Sequence, residues 1–267
     1  MLGLTRKDLL VWVAVLAVAA SALAVLAGCG GTTGASLAPG GEVAQGTAPE
    51  SPAVVLGGYT FGSTSDHLTH PYFKPTATMP KATWKGWGRF AGQQMTASFA
   101  SGGSVAGAKT LRILITAPGE TTVHQEYNYF AQDTQGNVHM LKYQEINDGN
   151  GHSHPGKLVG VAAGRKARFW LVKNSLLTAG YTWYAYEDSS HPNRKTRRFK
   201  VLSTTASLRG QTGLLQLQDI EDENGDGAFN QNWTGPDRRQ DFYFQKTSVS
   251  LFGLTLSNNP AGGFALK

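Results

Sequence analysis

One cysteine, Cys29, is all that the chain of 267 residues possesses. A single thiol closes no disulfide within the chain and builds no cysteine metal site. The fold must therefore hold by core burial and, at most, a bound ion. Catalytic signatures are missing too. There is no Gly-x-Ser-x-Gly elbow, no His-Glu-x-x-His zinc helix and no glycine-rich phosphate loop. No stretch beyond residue 53 sustains a 3.6-residue apolar period, which leaves room only for few, short helices. Internal repeats and recognisable nucleic-acid-binding modules are also absent. Paired carboxylates for glycoside hydrolysis stay open, because their geometry is not local in sequence.

What is present begins with the first 29 residues. Arg6 and Lys7 form a basic head, Leu9 to Val25 is an almost unbroken apolar run, and Leu26-Ala27-Gly28-Cys29 closes it. A basic head, an apolar run and small residues at a cut site describe a secretory signal. The run is at the lower length limit for a membrane span, and Ala27 and Gly28 suit a peptidase better than a span. A cysteine directly after Leu-Ala-Gly resembles the lipobox of bacterial lipoproteins. The resemblance implies cleavage before Cys29, a diacylglycerol thioether on its sulfur and an acylated amine. Two or three acyl chains, each worth about 0.8 kcal/mol per buried CH₂, hold a protein durably on a membrane surface. In the same family of signals an aspartate after the cysteine retains the protein on the inner membrane. Gly30 stands there instead, so the expected location is the outer membrane or cell surface, and nucleic acid is not an expected partner.

Residues 1–28 thus read as a lipoprotein signal peptide. Residues 29–53 are rich in Gly, Thr, Ala, Ser and Pro, with almost no large apolar side chain. Such a segment cannot offset its chain entropy by burial and reads as a flexible, lipidated linker, with a typical reach of roughly 25 Å.

Residues 54–267 form one domain by length. Leu111, Ile113 and Ile115 alternate with their neighbours. Further β-branched and aromatic runs cover Val123 to Phe130, His139 to Ile146, Phe169 to Val172, Tyr181 to Tyr186, Phe199 to Thr205, Leu214 to Leu217 and Phe242 to Leu256. Turn residues separate them at short intervals. The expectation is an all-β fold, a single antiparallel β-sandwich, barrel or half-barrel. One hairpin can be drawn in full. Asp133-Thr134-Gln135-Gly136 suits a type I turn, with Gly136 in the left-handed position of a bulge. Pairing outward sets Ala131 opposite His139, Tyr129 opposite Leu141 and Tyr127 opposite Tyr143, with Phe130 opposite Met140 on the other face. Both faces are apolar near the turn, so this hairpin is expected to be covered on both sides.

The stretch Tyr129-Phe130-Ala131-Gln132-Asp133-Thr134-Gln135-Gly136-Asn137-Val138 resembles a motif of uncharacterised bacterial lipoproteins and secreted proteins. Their pattern runs aromatic-aromatic-Ala-Gln-Asp-x-x-Gly-Asn-Val-Trp-aromatic-x-Gly-Glu. His70-Pro71-Tyr72-Phe73 and Pro80-Lys81-Ala82-Thr83-Trp84 look like the opening of the same proteins. The pattern breaks after Val138, where His139, Met140, Lys142 and Tyr143 replace its Trp, aromatic, Gly and Glu. The resemblance implies a β-rich exported domain and no particular activity.

The most chemically suggestive run is Asp222-Glu223-Asn224-Gly225-Asp226-Gly227-Ala228-Phe229-Asn230, which fits Asp-x-Asn-x-Asp-Gly. Calcium takes six to eight hard oxygens. Asp222, Asn224 and Asp226 can supply side-chain oxygens, Ala228 a carbonyl and Asn230 an oxygen directly or through water. Position 12 is Trp233, so the remaining ligand has to come from elsewhere. Asp219, Glu221, Asp237 and Asp241 are nearby in sequence. The expected cofactor is structural calcium, and a solvated turn is the alternative.

Lesser signals remain. The chain carries a formal net charge of +6, with a basic run at Arg194, Lys195, Arg197, Arg198 and Lys200. The run could meet anionic lipid or envelope polysaccharide. It could equally be a solvated hairpin end, or be neutralised by the acidic run from Asp219 to Asp226. If the Ser203–Gly213 connection is a hairpin, Arg197 and Glu221 come together. His152 and His154 could present two imidazoles to zinc or copper. His67 and His70 read as an exposed loop, and Ser65-Asp66-His67 contains triad residue types that adjacent positions rarely bring together. Trp84, Trp87, Trp170, Trp183 and Trp233 suit a β core better than a sugar-stacking face. Together these point to a non-catalytic envelope binding or structural module. An anchored hydrolase and a carrier with an apolar cavity are the alternatives.

Overall fold

The computed structural model describes residues 53–62, 68–119, 121–186, 195–222, 226–229, 238–247, 251–256 and 262–266. The signal segment, Cys29 and the linker as far as Pro52 lie outside the described residues, as do Ser65, Asp66, His67, Arg194, Asn224, Asn230, Trp233 and Asp237.

Alternating β-branched and aromatic residues between glycine-rich turns make strands, and strands dominate here. In chain order they are β1 (Val54–Leu56), β2 (Tyr59–Phe61), β3 (Ala82–Gly88), β4 (Gln94–Val105), β5 (Ala108–Pro118), β6 (Val123–Gln132), β7 (Val138–Asp148), β8 (Lys157–Leu158), β9 (Phe169–Leu171), β10 (Thr182–Tyr186), β11 (Lys195–Leu208), β12 (Gln211–Glu221), β13 (Arg238–Phe244), β14 (Leu251–Leu256) and β15 (Gly262–Leu266). Among the described residues the helical elements are two 3₁₀ turns, Gly160–Ala163 and Asn174–Leu176.

β1 and β2 form a small hairpin of their own. The other strands make one antiparallel sheet in the order β10-β11-β12-β13-β14-β15-β3-β4-β5-β6-β7-β8, with β9 also pairing β7. The sheet is open and rolled. β9 and β11 are about ten strand spacings apart, roughly 48 Å if the sheet were flat. Yet the rings of Trp170 on β9 and Phe199 on β11 are 6.3 Å apart, and the Trp183 indole N–H on β10 donates to the Phe169 carbonyl at 3.3 Å. One core fills the roll, drawing Trp84, Ile113, Phe130, Trp170, Phe242 and Phe264 from strands all around it. Of the sandwich, barrel and half-barrel alternatives, a single unclosed sheet wrapped round one core is the half-barrel.

The outer face of β5–β7 is covered as well. Phe61 of β2 and Val161 pack there on Tyr129, Ala131 and Leu141, while Phe130 and Met140 point to the main core. The β6–β7 hairpin is thus buried on both sides, as its sequence indicates. Its turn closes with Gly136 N–H on the Asp133 carbonyl at 3.0 Å and Gly136 at φ +94, a backbone conformation that favours glycine. Ala131 pairs with His139 and Phe130 with Met140, but an irregularity between Tyr129 and Phe130 shifts the register. Tyr129 therefore faces Lys142 and not Leu141, and Tyr127 faces Gln144 and not Tyr143. The extra residue of such a bulge carries no sequence marker here.

Three other expectations are corrected. The run from Phe242 to Leu256 is two strands, β13 and β14. The connection expected over Ser203–Gly213 narrows to a turn at Arg209 and Gly210, with β11 and β12 running up to it. His70 is buried, not exposed: its Nε2 is 3.1 Å from the Val172 carbonyl oxygen. Burial outweighs that contact and lowers its pKa to about 4.

Candidate functional site

Antiparallel order places the connections after β3, β5, β7, β10, β12 and β14 at one end of the roll. At this end the inner face of β6 turns polar. His124, Glu126 and Asn128 sit at alternate positions, so period two directs all three inward with Phe130. Directly paired residues share a face, and β7 therefore adds Asp148 opposite His124, Glu145 opposite Glu126 and Tyr143 opposite Asn128.

Asn128 Nδ2 donates to Glu126 Oε1, and the His124 ring lies 3.6 Å from the other Glu126 oxygen. Glu145 and Asp148 reach His154 at 3.8 and 3.6 Å, and Asp148 reaches His152 at 3.2 Å. The row runs from solvent inward: side-chain exposure is 74% at His152, 46% at His154, 7% at Glu145 and 0% at both His124 and Glu126. Burial pushes Glu126 up to about 7, against the opposing pull of His124 and Asn128. Glu145 is also raised by burial, with Asp148 adding to it. For His124, burial pulls the pKa down, but Glu126, Glu145 and the Asp148 carbonyl outweigh it and the net shift is upward. Asp148 is the opposite case. Slight burial raises it, while the N–H groups of Asn150 and His152 and the His152 ring bring it down to about 2.

Beyond Asn128 the interior is apolar. A slot of about 50 Å³ lies between β3–β6 and β13–β14, walled by residues such as Trp84, Phe99, Ile113, Trp170 and Phe242. Asn128 is the one polar residue on its wall. A water needs about 10–15 Å³ measured this way and a benzene-holding cavity about 150 Å³, so the slot has room for a short alkyl group and not for an aromatic ring or a long acyl chain.

The residues singled out from sequence fall elsewhere. Asp222 is buried at the end of β12, and its Oδ2 accepts from Gly227 N–H at 3.1 Å. Asp226 Oδ1 accepts from Ala228 N–H at 2.7 Å, and Gly227 sits at φ +77. Asn224 and Asn230 are outside the described residues, so the whole ligand set is not in view. Among the nearby carboxylates, Asp219 is held by Arg197 at 3.1 Å and Gln240 at 2.7 Å, Glu221 by Arg197 at 2.8 Å, and Asp241 by Arg239 at 3.0 Å. Arg197 and Glu221 do come together, by direct cross-strand pairing. The basic run is divided by strand alternation: Arg197 faces the core, whereas its neighbour Arg198 bonds Gln218 at 3.2 Å. Trp84, Trp170 and Trp183 are core residues.

His152 and His154 are engaged by carboxylates, and among the described residues no three His, Cys, Asp or Glu side chains are placed to hold a metal ion. The hydrogen bonds of the histidine rings among the described residues go to backbone groups and to aspartates, not to a serine. His139 pairs with Asp133 at 2.9 Å. The same Asp133 accepts from the N–H groups of Gln135 and Asn137, both at 2.9 Å, and from Asn137 Nδ2 at 2.7 Å. Burial alone would raise its pKa, but these donors hold it below the ordinary 3.8. Gln132 Oε1 accepts from Thr69 and His70 N–H at 2.7 and 3.1 Å, and Asn137 Oδ1 from Lys173 N–H at 2.8 Å. The polar residues of the Ala-Gln-Asp-x-x-Gly-Asn stretch thus bind three chain segments together.

Sequence reading missed His124, Glu126, Asn128 and Glu145. The available signal was His-x-Glu-x-Asn in step with Phe130, a polar triplet on a strand face that continues into the core. Comparison with known protein families, curated proteins and solved structures finds no match to this chain.

Proposed function

We propose that this chain is an envelope binding module, held on a membrane by lipid at Cys29, whose rolled sheet takes a small apolar group into its interior. One observation carries the reading: an apolar slot lies within the core, with a single polar side chain, Asn128, on its wall. Small-molecule sites are concave and apolar with a few placed polar groups. The carrier alternative narrows accordingly, since about 50 Å³ does not enclose a lipid tail. The outer-membrane or cell-surface location follows from Gly30 and the lipobox.

Calcium at Asp222, Asn224, Asp226, Ala228 and Asn230 belongs to this proposal as a structural ion. The left-handed Gly227 supports it, because a calcium loop needs a sharp turn at that position. Anionic lipid or polysaccharide remains the proposed outer partner of Arg198 and Lys200.

Cyclopropane dissolved under pressure should raise the melting temperature, because a ligand of the folded state stabilises by mass action. Ala97→Leu, which adds side-chain bulk on the slot wall, should abolish the rise. A melting temperature indifferent to cyclopropane in both proteins would overturn the reading.

A further inference from the structure

The outer face of the sheet carries charge of one sign. Among the described residues of β3–β8 the acids are Glu126, Asp133, Glu145 and Asp148. Glu126, Glu145 and Asp148 belong to the inner row, and Asp133 is buried at the β6–β7 turn among its own donors. The outward positions hold cations instead. Trp84 and Met95 are core residues, so Lys85, the next residue on β3, points outward and is exposed. Arg112, Tyr129 and Lys142 face one another across β5, β6 and β7, opposite in parity to Ile113 and Phe130. The Arg112 guanidinium lies 4.5 Å over the Tyr127 ring and the Lys142 ammonium 4.9 Å over Tyr129. Stacking of this kind holds a cation against the sheet while its outer side can still meet an anion.

Apolar side chains stand on the same face. Among the described residues the exposed large ones are Val55, Val123 and Leu158, 65%, 45% and 49% exposed. Leu158 pairs with Lys142 and shares its outward direction. Val55 is on β1, in the hairpin that packs on this face. Its neighbour Val54 packs toward Gly107, so alternation turns Val55 away from the sheet. The linker runs directly into Ala53 and this hairpin. We propose that the outer face of β5–β8, with the β1–β2 hairpin, docks on an anionic lipid leaflet. Arg112 and Lys142 meet the head groups, and Val55 and Leu158 enter the interface between head groups and acyl chains. This rests on the acyl anchor at Cys29. The anchor favours a leaflet over a polysaccharide, because it joins the domain at this face and holds it at high effective concentration beside lipid. Each basic residue near an anionic leaflet then adds about fivefold. The face is distinct from that of Arg198 and Lys200, which are on β11.

The test uses the full acylated chain on two kinds of vesicle, phosphatidylcholine alone and phosphatidylcholine mixed with phosphatidylglycerol. Acetylation of lysines by an N-hydroxysuccinimide ester is followed by mass spectrometry. Lys142 should react about fivefold or more slowly on the anionic vesicles than on the neutral ones. Lys246, exposed beyond β13 over Tyr72, should react equally on both. Salt at about 1 M, where the Debye length is about 3 Å, should remove the protection of Lys142 and leave the chain sedimenting with both vesicles. Val55→Asp, at a solvent-facing position, should weaken the protection at an unchanged urea midpoint. If the chain sediments with both vesicles and Lys142 reacts equally on them, the docking face is wrong and the anchor stands. If Lys142 and Lys246 are slowed alike, the face is also wrong. If the chain sediments with neither vesicle, both readings fall. Protection of Lys142 by dextran sulfate and not by vesicles would overturn the proposal in favour of a polysaccharide. The vesicle comparison needs no variant, so an unfolded Val55→Asp does not spare it.

Discussion

Glu126 is held well away from its ordinary state by burial. Its folded pKa of about 7 is above the usual 4.5, so between those values the folded chain holds a proton that the unfolded chain has released. Stability must then fall as pH rises through this window and level off above it. His124, also raised, extends the decline upward in the same direction. Glu126→Gln should flatten it: the loss of melting temperature between pH 5 and pH 8 should be smaller in the variant. An equal loss would contradict the assignment. At the acid end, Asp133 and Asp148 are depressed, so their contributions are present above the ordinary carboxylate range and are lost as pH falls below it. Asp133→Ala should cost about 2–4 kcal/mol in urea denaturation, because it strands His139 and two backbone N–H groups. A change below about 0.5 kcal/mol, the range of ordinary surface substitutions, would refute its structural role.

At the scale of elements, the β6–β7 hairpin was the most legible part of the sequence. Turn chemistry at Asp133–Gly136 and apolar residues on both parities were enough to infer its turn and its double burial. The bulge beside Phe130 was not legible, because an extra residue is decided by how the strands meet and not by residue type. The strands β3, β4 and β15 were missed for a related reason. Their glycines and small residues score poorly as strand formers, yet they allow close approach. A Cβ on Gly263 would lie 2.1 Å from the Leu254 carbonyl oxygen of the neighbouring strand. Gly263→Ala should therefore destabilise the fold by about 1–3 kcal/mol, read as a shift in urea midpoint. No shift would show that β14 and β15 are not packed as described. The polar row on β6 was visible only as an alternation. Its partners Glu145 and Asp148 come from a different strand, and sequence spacing does not place them.

At the scale of the whole molecule, a rolled antiparallel sheet without disulfides encloses a core that is apolar in the middle and polar at one end. The first turn of the proposed calcium loop, at Asp222, is at this same end, since it follows β12. Chelation should lower the melting temperature and calcium should restore it, with no effect of either refuting a structural ion. Everything in the ligand reading depends on the space beside Asn128 being open to an apolar atom. The direct measurement is anomalous diffraction from crystals pressurised with xenon. Xenon is predicted between Phe99, Ile113 and Trp170. Crystals that take up xenon elsewhere and leave those three side chains without it would contradict the account.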